Sequence, residues 1–403
     1  MRLSDYAVGK DNNFTLLRLI AAAIVVFTHS VAVLGLPWIP DVLLSRFGRT
    51  IGEMCLDMLF VTSGFLVTAS LLTRPNLIEF FWARTLRLYP ALWVMLPLTV
   101  FFLAPFVTSL TPGEFFSAPQ TWEYLRKCAT VVSGIRFTLP GVFQSLPLKG
   151  EFNGSLWTLP VEMRMYLYLA ATWLAFAFTP NLRLRGVTYL APVVAVAYGF
   201  MVARIRLTGG TFTGPEIAVF MWLYGSALWY WRHRAPMSWG VFAALVGVLV
   251  LASFNKQAAF IAYLVCMAPL VLHLAYLPGG FLRRYSSAGD YSYGVYIYAF
   301  PAQQSLAFWF PGISLFELLL SSGLIAFTAA GLSWHFIEKR ALRMKHRCAE
   351  ATERVLSAAV ARIATAALGS DGTHAQERRL LGVAVRRLQA AVETKRETSG
   401  APN

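Results

Sequence analysis

Long intervals without Lys, Arg, Asp or Glu follow one another along the chain as far as residue 338. Two of them run from Arg18 to Asp41 and from Asp290 to Glu317. A bilayer core of about 30 Å takes roughly 20 apolar residues in a helix, and each interval can hold one such helix. The pattern predicts ten membrane-spanning helices, over residues 14–35, 51–73, 88–109, 156–179, 186–204, 215–231, 237–254, 257–276, 291–310 and 315–336.

The composition supports a membrane protein, because 57% of the residues are hydrophobic and only 14% are charged. Soluble domains average about 45–50% apolar and about 25% charged residues. So few charges cannot cover a water-soluble surface, which excludes a soluble nucleic-acid-binding protein despite the net charge of +15. The predicted fold class is all-α, a polytopic bundle of about ten transmembrane helices over residues 1–338. Residues 339–403 form a basic cytoplasmic tail that is helical or partly disordered.

The basic residues near the predicted spans lie mostly on one side. Alternate connections contain nine arginines in total, whereas the opposite short loops contain four basic residues. Because Lys and Arg concentrate in short cytoplasmic loops, we expect both termini in the cytoplasm. The basic connections contain Arg74, Arg84, Arg87, Arg183, Arg185, Arg232, Arg234, Arg283 and Arg284, and the opposite loops contain Arg46, Arg49, Arg206 and Lys256.

The predicted tail contains 13 Lys and Arg against six Asp and Glu. Its stretches Ala349–Leu368 and Ala375–Val392 are rich in alanine and weakly amphipathic, which favours helices. These helices lie on the inner leaflet, pair with each other or are solvated, and the pattern leaves these alternatives open. The four cysteines are far apart in sequence and form no CxxC pair, so neither a disulfide framework nor a metal site is predicted.

Ionisable side chains inside a predicted span are costly and usually face a partner, a cavity or a site. Arg18 and His29 lie on the first span, 11 residues apart. At 100° per residue they share one face of the helix, separated by about 16 Å along its axis. Arg18 is near the cytoplasmic end, and His29 is closer to the outer end.

Two acidic residues are expected at the same outer depth as His29. Asp57 lies about 9 Å below the outer start of the second span, and Glu162 lies near the outer start of the fourth. Tyr166 is one turn below Glu162 on the same face. A carboxylate beside an imidazole fixes its tautomer and stabilises imidazolium, so Glu162 or Asp57 is expected to orient His29 as a general base.

Arg84 and Arg87 share a face at the cytoplasmic entrance of the third span. Guanidinium groups suit phosphate, so these two residues, with Arg18, are expected to hold a polyanionic cytosolic donor. Trp157, at the outer end of the fourth span, is a belt residue or stacks on a sugar ring. This layout fits transfer of a group from a cytosolic donor to a hydroxyl that arrives from outside.

Six segments, in this order, resemble the acyltransferase-3 family of integral-membrane acyltransferases. The resemblance covers about residues 12–340. The first segment contains the family's arginine and histidine, with ten residues between them, at Arg18 and His29, and the third contains its RxxR element at Arg84 and Arg87. The segments are FTLLRLIAAAIVVFTHS, CLDMLFVTSGFLVTASL, FFWARTLRLYPALWV, GSLWTLPVEMRMYLYL, SYGVYIYAFP and HFIEKR.

The resemblance implies ten spans, a cytosolic acyl-CoA donor, usually acetyl-CoA, and an acceptor sugar hydroxyl on a glycan or lipid-linked glycan at the outer face of a bacterial inner membrane. No metal is implied. Two departures stand out. Ala299 occupies a position where many members have histidine, and Glu162 is followed by Met163 and Arg164 instead of a polar run.

Each site residue also has a structural alternative. His29, Asp57 and Glu162 fit interhelical hydrogen bonds. The arginines fit positive-inside anchors. The rival function is a transporter or flippase for a lipid-linked glycan, which would use the same buried charges to bind substrate or couple protons.

Overall fold

The computed structural model describes residues 1–9, 11–37, 42–74, 76–177, 193–194, 196–202, 204–205, 208–209, 214–285 and 289–367. Within these ranges the regular structure is helical, with three isolated β-bridges and no β-strand, which confirms the predicted all-helical class. The longer helices are α1 (Phe14–Val33), α2 (Ile51–Thr73), α3 (Leu77–Pro97), α4 (Thr158–Ala177), α5 (Gly214–Tyr230), α6 (Trp239–Ala252), α7 (Lys256–Tyr276), α8 (Ser292–Trp309), α9 (Leu315–Ser333) and α10 (Lys345–Ala367). Shorter helices are Leu3–Tyr6, Val42–Phe47, Pro112–Ser117, Pro119–Thr130, Phe281–Arg284 and Lys339–Arg343.

Five helices among the described residues are long and apolar enough to cross a membrane. A π-helical turn, Leu98–Leu103, extends α3. The count of ten spans stays a prediction, as does the cytoplasmic position of the tail. Residues 186–192 of the predicted fifth span and the predicted helix Ala375–Val392 lie outside the described residues. The five candidate spans are Phe14–Val33, Ile51–Thr73, Leu77–Phe106, Lys256–Tyr276 and Leu315–Ile363.

Two of the long helices begin at a capping box, in which a hydroxyl and a carboxylate satisfy the first backbone N–H groups. At α2 the Thr50 hydroxyl accepts from the Glu53 backbone, and the Glu53 carboxylate accepts from the backbone of Thr50. Ser314 and Glu317 form the same box at α9. These local signals fix where the helices start.

The chain divides into two compact units. The first contains residues Met1–Pro75 and Leu88–Lys339, and the second contains Asn76–Arg87 and Arg340–Asn403. In the second unit the start of α3 is joined to α10, because Asn76 Nδ2 donates to Glu353 Oε1 over 2.6 Å and Trp82 Nε1 donates to Thr352 Oγ1 over 2.9 Å. The sequence-based division into residues 1–338 and 339–403 stays a prediction.

In the first unit, α2 and α5 cross at very short range. A Cβ atom placed on Gly64 would lie 1.9 Å from the carbonyl oxygen of Trp222, and one on Gly225 would lie 2.2 Å from that of Val61. Small residues at a helix crossing let two backbones approach closely, which is how helices pack where water supplies no driving force. The glycine of the SGF segment is therefore required by packing.

The helices α8 and α9 form the second close pair of this unit. A Cβ on Gly294 would lie 2.7 Å from Ala330. A small apolar cluster fills the space between this pair and α1, and it contains Ala22, Val26, Val295, Ala299, Ala326 and Ala330. Ala299 is thus a packing residue with 2% exposure.

Substituting Gly64 by alanine is expected to destabilise the protein, because the new methyl group overlaps the Trp222 carbonyl and forces α2 from α5. Overpacking of this kind costs about 1–3 kcal/mol. Gly247→Ala in α6 is the matched control, since a Cβ there meets no atom within 4 Å. Thermal unfolding of both variants in detergent measures the difference, and equal melting temperatures would contradict the crossing.

Candidate functional site

His29 lies on α1, four residues before the helix ends at Val33, and is half-buried. Its Nδ1 atom is 3.4 Å from the hydroxyl oxygen of Ser155. The ring of Phe300 meets the imidazole edge to face, with 5.1 Å between ring centroids. The imidazole is therefore held by one polar and one aromatic contact, from two different parts of the chain.

Ser155 belongs to a single 3₁₀ turn, Gly154–Trp157, that leads directly into α4. The buried Asn153 caps this turn: its Oδ1 accepts from Ser155 N over 3.2 Å, and its Nδ2 donates to the Ile297 carbonyl over 2.9 Å. A Cβ on Gly154 would lie 3.0 Å from the ring of Phe300. The turn is thus pressed against α8, and this contact fixes the position of the Ser155 hydroxyl.

Tyr296 on α8 continues the polar contacts. Its hydroxyl donates to the Ser155 carbonyl over 2.7 Å and lies 2.9 Å from Thr158 Oγ1. Thr158 is the first residue of α4, one turn before Glu162. A path of polar groups therefore runs from His29 through Ser155 and Tyr296 to the face of α4 that carries Glu162.

Glu162 accepts hydrogen bonds from two hydroxyl groups. Ser63 Oγ on α2 donates to Glu162 Oε1 over 3.1 Å, and the Tyr166 hydroxyl donates to the same oxygen. Tyr166 was expected one turn below Glu162 on the same face, and this contact confirms it. Among the hydrogen bonds of the described residues, none joins His29 directly to Glu162 or Asp57.

Asp57 is 1% exposed and is engaged by two other residues. Arg49 Nη2 donates to both carboxylate oxygens over 3.0 and 2.9 Å, with Nε at 3.2 Å from Oδ2. The Tyr263 hydroxyl donates to Oδ2 over 2.6 Å. Arg49 also contacts Glu53 at 3.1 Å. These contacts match the structural alternative for Asp57, in which it pairs between helices.

The carboxylates of Asp57 and Glu53 keep Arg49 positively charged. Burial alone would lower the pKa of the Arg49 guanidinium, but the charges of Asp57 and Glu53 outweigh burial and raise it. Arg49 lies just before α2, eight residues ahead of Asp57. The sequence places Arg49 in a loop among other basic residues, so its ion pair with Asp57 was not predicted.

The depths of the three expected catalytic residues differ along the bundle. Thr28 lies against Gly52, because a Cβ on Gly52 would be 2.5 Å from the threonine hydroxyl. Counted from Gly52, Asp57 lies about 7.5 Å further along α2 and Ser63, the partner of Glu162, about 16 Å further. The single layer expected from the sequence is therefore spread over several helical turns.

Arg18 pairs with an acid that the sequence reasoning did not single out. Its Nη1 atom is 3.5 Å from Asp290 Oδ2, and the arginine side chain keeps 26% of its surface exposed. Asp290 in turn accepts from the Ser292 hydroxyl over 2.5 Å, at the start of α8. The signal was present in the sequence, since Asp290 lies two residues before the start of the SYGVYIYAFP segment.

Trp157 and Tyr166, the expected substrate-binding residues, have different environments. The Trp157 ring is half-buried against the start of α5, where a Cβ on Gly214 would lie 3.3 Å from it. Tyr166 is 4% exposed and is directed to Glu162. The Tyr166 hydroxyl therefore already donates a hydrogen bond to the Glu162 carboxylate.

Arg84 and Arg87, the expected donor-binding pair, belong to the second unit. The Arg84 guanidinium lies over the ring of Phe80, 5.6 Å from its centroid. One turn away, Glu79 contacts Lys345 at 3.6 Å and His346 at 3.5 Å. This unit is thus basic and tied to the start of α10.

Comparison with known proteins gives a consistent result. The acyltransferase-3 family model, described as an acyltransferase domain, matches residues 11–337. The "O-acetyl transferase" of Shigella phage Sf6 is 28% identical over 348 residues, which cover 83% of this chain and 96% of that protein. "Nodulation protein 10" of Rhizobium leguminosarum bv. viciae is 28% identical over 378 residues, covering 85% and 96%.

A third relative is longer than this chain. The "Peptidoglycan O-acetyltransferase OatA" of Listeria monocytogenes is 25% identical over 290 residues, which cover 62% of this chain and 44% of that protein. No solved structure matches this chain. The family match begins just before α1 and ends within the π-helical turn Trp334–Glu338, so it includes every contact of His29, Glu162 and Asp57 described above.

Proposed function

The chain belongs to the acyltransferase-3 family, and we propose that it is a membrane O-acyltransferase that moves an acetyl or short acyl group from cytosolic acyl-CoA to a glycan hydroxyl. The acceptor is a sugar of a cell-surface or exported glycan, free or lipid-linked. The protein lies in a bacterial inner membrane with both termini in the cytoplasm. The names of the Shigella phage and Listeria relatives support O-acetyl transfer, and the apolar helices support the membrane setting.

The observation that carries the proposal is the position of His29. Its Nδ1 atom faces the Ser155 hydroxyl. When Nδ1 carries the hydrogen and donates a hydrogen bond to the Ser155 hydroxyl, the other nitrogen, Nε2, has a free lone pair and can act as a base. In this tautomer the Ser155 hydroxyl accepts from Nδ1 and holds the imidazole in place, a positioning role that was expected of Glu162 or Asp57.

The reaction follows from this arrangement. The acceptor hydroxyl gives its proton to Nε2 of His29, and its oxygen attacks the thioester carbonyl carbon. The carbon–sulfur bond breaks, and the CoA sulfur leaves with the electron pair and takes the proton back from the imidazolium. The products are the O-acyl glycan and free CoA. A transient acyl-histidine on His29 is the two-step form of the same chemistry.

Glu162 and Asp57 have distinct proposed parts. Glu162, one helical turn from Thr158, is proposed to stabilise positive charge on His29 through the field of its carboxylate. Asp57 acts by neutralising Arg49 inside the bundle. Trp157 is proposed to stack on an acceptor sugar with the part of its ring that remains exposed, and Tyr166 to orient Glu162 toward the acceptor.

Donor binding is assigned to the arginines. Arg18 shares a helix face with His29, about 16 Å away, a separation that the extended pantetheine arm of CoA suits. Asp290 engages one nitrogen of its guanidinium, so further N–H groups remain to meet phosphate. Arg84 and Arg87, which match the family's RxxR element, are proposed as phosphate ligands.

Label transfer tests the function directly. The purified protein is incubated with acetyl-CoA labelled in the acetyl group and with lipopolysaccharide, exopolysaccharide or peptidoglycan fragments. Label is expected on a sugar hydroxyl of one acceptor and absent without protein. Movement of an unmodified glycan across proteoliposomes, without label transfer, would instead support the transporter or flippase.

Substituting Arg84 or Arg87 by alanine is expected to weaken acyl-CoA binding about tenfold, since a hydrogen bond to a charged group contributes about 1.5–3 kcal/mol. Arg74→Ala is the matched control, because Arg74 is an exposed arginine that precedes α3. Titration with acyl-CoA in detergent measures the Kd values. Equal affinity in all three variants would leave Arg84 and Arg87 with a topological role alone.

A further inference from the structure

The first turns of α3 continue the helix beyond the apolar interval that predicts its span. That interval starts after Arg87, whereas the helix begins at Leu77. Arg84 and Arg87, the proposed phosphate ligands, lie at the end of this extension. Helix ends fray when their terminal backbone groups lack partners. The extension therefore needs contacts of its own to hold the two arginines in one geometry.

Asn76 caps this extension and is itself held by α10. Its side-chain oxygen, Oδ1, accepts from the backbone N–H groups of Ile78 and Glu79 over 2.9 and 3.1 Å. Its side-chain nitrogen, Nδ2, donates to Glu353 Oε1 over 2.6 Å. Hydrogen bonds to a carboxylate are among the stronger ones. Through Glu353, α10 thus fixes the group that starts α3.

Two further contacts join α3 to α10. Trp82 Nε1 donates to Thr352 Oγ1 over 2.9 Å, and Lys345 Nζ lies 3.6 Å from Glu79 Oε1. At 100° per residue, Asn76, Glu79 and Trp82 lie on one side of α3. Because the contacts are spread over more than one helical turn, they fix the direction of the extension as well as its start.

Arg84 and Arg87 lie on a different side of α3. Seen along the helix axis, they are rotated by about 110° from the side that contacts α10. The Arg84 guanidinium lies over the ring of Phe80, 5.6 Å from its centroid. The contacts with α10 therefore set the position of the helix that carries both arginines, and they do so from another side of that helix.

The helix α10 lies beyond the residues that the family model matches. The match ends at residue 337, and α10 begins at Lys345. Its contacts with α3 nevertheless reach the turns that carry the RxxR element of the family. A segment outside the family match thus supports a segment inside it.

We propose that α10 is a positioning element for the acyl-CoA donor, which keeps Arg84 and Arg87 in the geometry that binds the CoA phosphates. Binding one ligand with two guanidinium groups depends on their relative placement, and a fixed helix supplies it before the donor arrives. Thr352 and Glu353 are positioning residues, because they act through α3. The inference rests on the proposed role of the two arginines in donor binding.

Variants of α10 in the full-length protein test the proposal. Ala349→Glu places a charge at a position that is 4% exposed and one turn before Thr352 and Glu353. Ala358→Glu is the matched control, because Ala358 is exposed and lies nine residues further, on the opposite side of the same helix. Thr352→Val combined with Glu353→Leu removes both hydrogen bonds to α3 without adding a buried charge.

Titration with acetyl-CoA in detergent measures the Kd values. Ala349→Glu is expected to weaken binding about tenfold, as loss of an arginine contact would, and the combined Thr352 and Glu353 variant about fivefold. Ala358→Glu is expected to bind as the wild-type protein does. In the label-transfer assay the KM for acetyl-CoA rises, whereas kcat and the KM for the glycan that takes the label stay close to the wild-type values.

Several results would overturn the role of α10. They are a wild-type Kd in the combined variant, whether or not Ala349→Glu folds, an equal loss in Ala349→Glu and Ala358→Glu, or a loss that falls on kcat and on both KM values alike. Wild-type protein that neither binds acetyl-CoA nor transfers label would contradict the proposed function as well. Wild-type protein that does both, with variants that bind equally well, would contradict the role of α10 alone.

Discussion

Replacing His29 by alanine is expected to lower the rate of acyl transfer about 10²- to 10⁴-fold, the usual contribution of a positioned general base. The proton of the acceptor hydroxyl then has no nearby group to receive it. Neither carboxylate expected to assist His29 can take its place, because Glu162 is bonded to Ser63 and Tyr166, and Asp57 is bonded to Arg49. Transfer of labelled acetyl groups by the purified variant measures the loss.

A matched variant distinguishes loss of the base from a general effect on the protein. His233→Ala removes an exposed imidazole from the turn after α5 and is expected to keep full activity. The melting temperature of His29→Ala is expected to stay close to that of the wild-type protein, since His29 is half-buried and its polar contact is long. Wild-type transfer by His29→Ala would contradict both the direct and the acyl-histidine mechanism.

The variant Ser155→Ala, measured in the same transfer assay, shows whether Ser155 positions His29 for the reaction or only packs against it. Removing its hydroxyl by Ser155→Ala leaves His29 on α1 but removes the group that accepts from Nδ1 in the reactive tautomer. A hydrogen bond of about 1 kcal/mol corresponds to about a fivefold change in rate. The expected loss is therefore small beside that of His29→Ala, and it falls on kcat with little change in KM for acyl-CoA.

Helix bounds could be predicted well where an apolar interval ends at a polar residue. The predicted spans 14–35, 51–73 and 257–276 correspond closely to α1, α2 and α7. The third span was predicted from residue 88, but α3 begins at Leu77. Arg84 and Arg87 lie at the cytoplasmic entrance of that predicted span, and α3 includes them because charged side chains are compatible with a helix that continues beyond an apolar region.

Loop structure was harder to predict. Residues 110–155 separate the third and fourth predicted spans and contain four prolines and several aromatic residues. Two short helices occur there, Pro112–Ser117 and Pro119–Thr130, each with proline in its first turn. Proline suits that position, since the missing N–H would have no partner there. The capping box of Thr111 and Glu114 was a local signal for the first of them.

The contacts of the candidate site also differ in how well the sequence predicts them. Contacts along one helix could be predicted, as Glu162 with Tyr166 shows. Contacts between distant segments could not, because they depend on how helices pack. Ser155 contacts His29 because the turn that contains Asn153 and Gly154 packs against α8. Arg49 was assigned to a loop, and its pairing with Asp57 requires the side chain to fold back along the first turns of α2.

Removing the charge of Arg49 is expected to produce the largest loss of stability in the chain. In Arg49→Met the carboxylate of Asp57, which is 1% exposed, keeps the Tyr263 hydroxyl but has no opposite charge. Breaking a buried ion pair from one side costs about 3–5 kcal/mol. Thermal unfolding can be followed with a thiol-reactive dye, because Cys55, Cys128 and Cys266 are buried and free and react only when the protein opens.

The double variant Arg49→Met with Asp57→Leu separates the two interpretations of Asp57. Replacing both charges by apolar side chains is expected to restore most of the melting temperature, since an apolar pair avoids the desolvation cost of the ions. If Asp57 serves only to neutralise Arg49, the restored protein also transfers acetyl groups. If Asp57 acts in the reaction, the double variant folds but remains inactive. A double variant no more stable than Arg49→Met would instead show that the pair fixes the geometry of the start of α2, through the directional bonds that the guanidinium makes to Asp57 and Glu53.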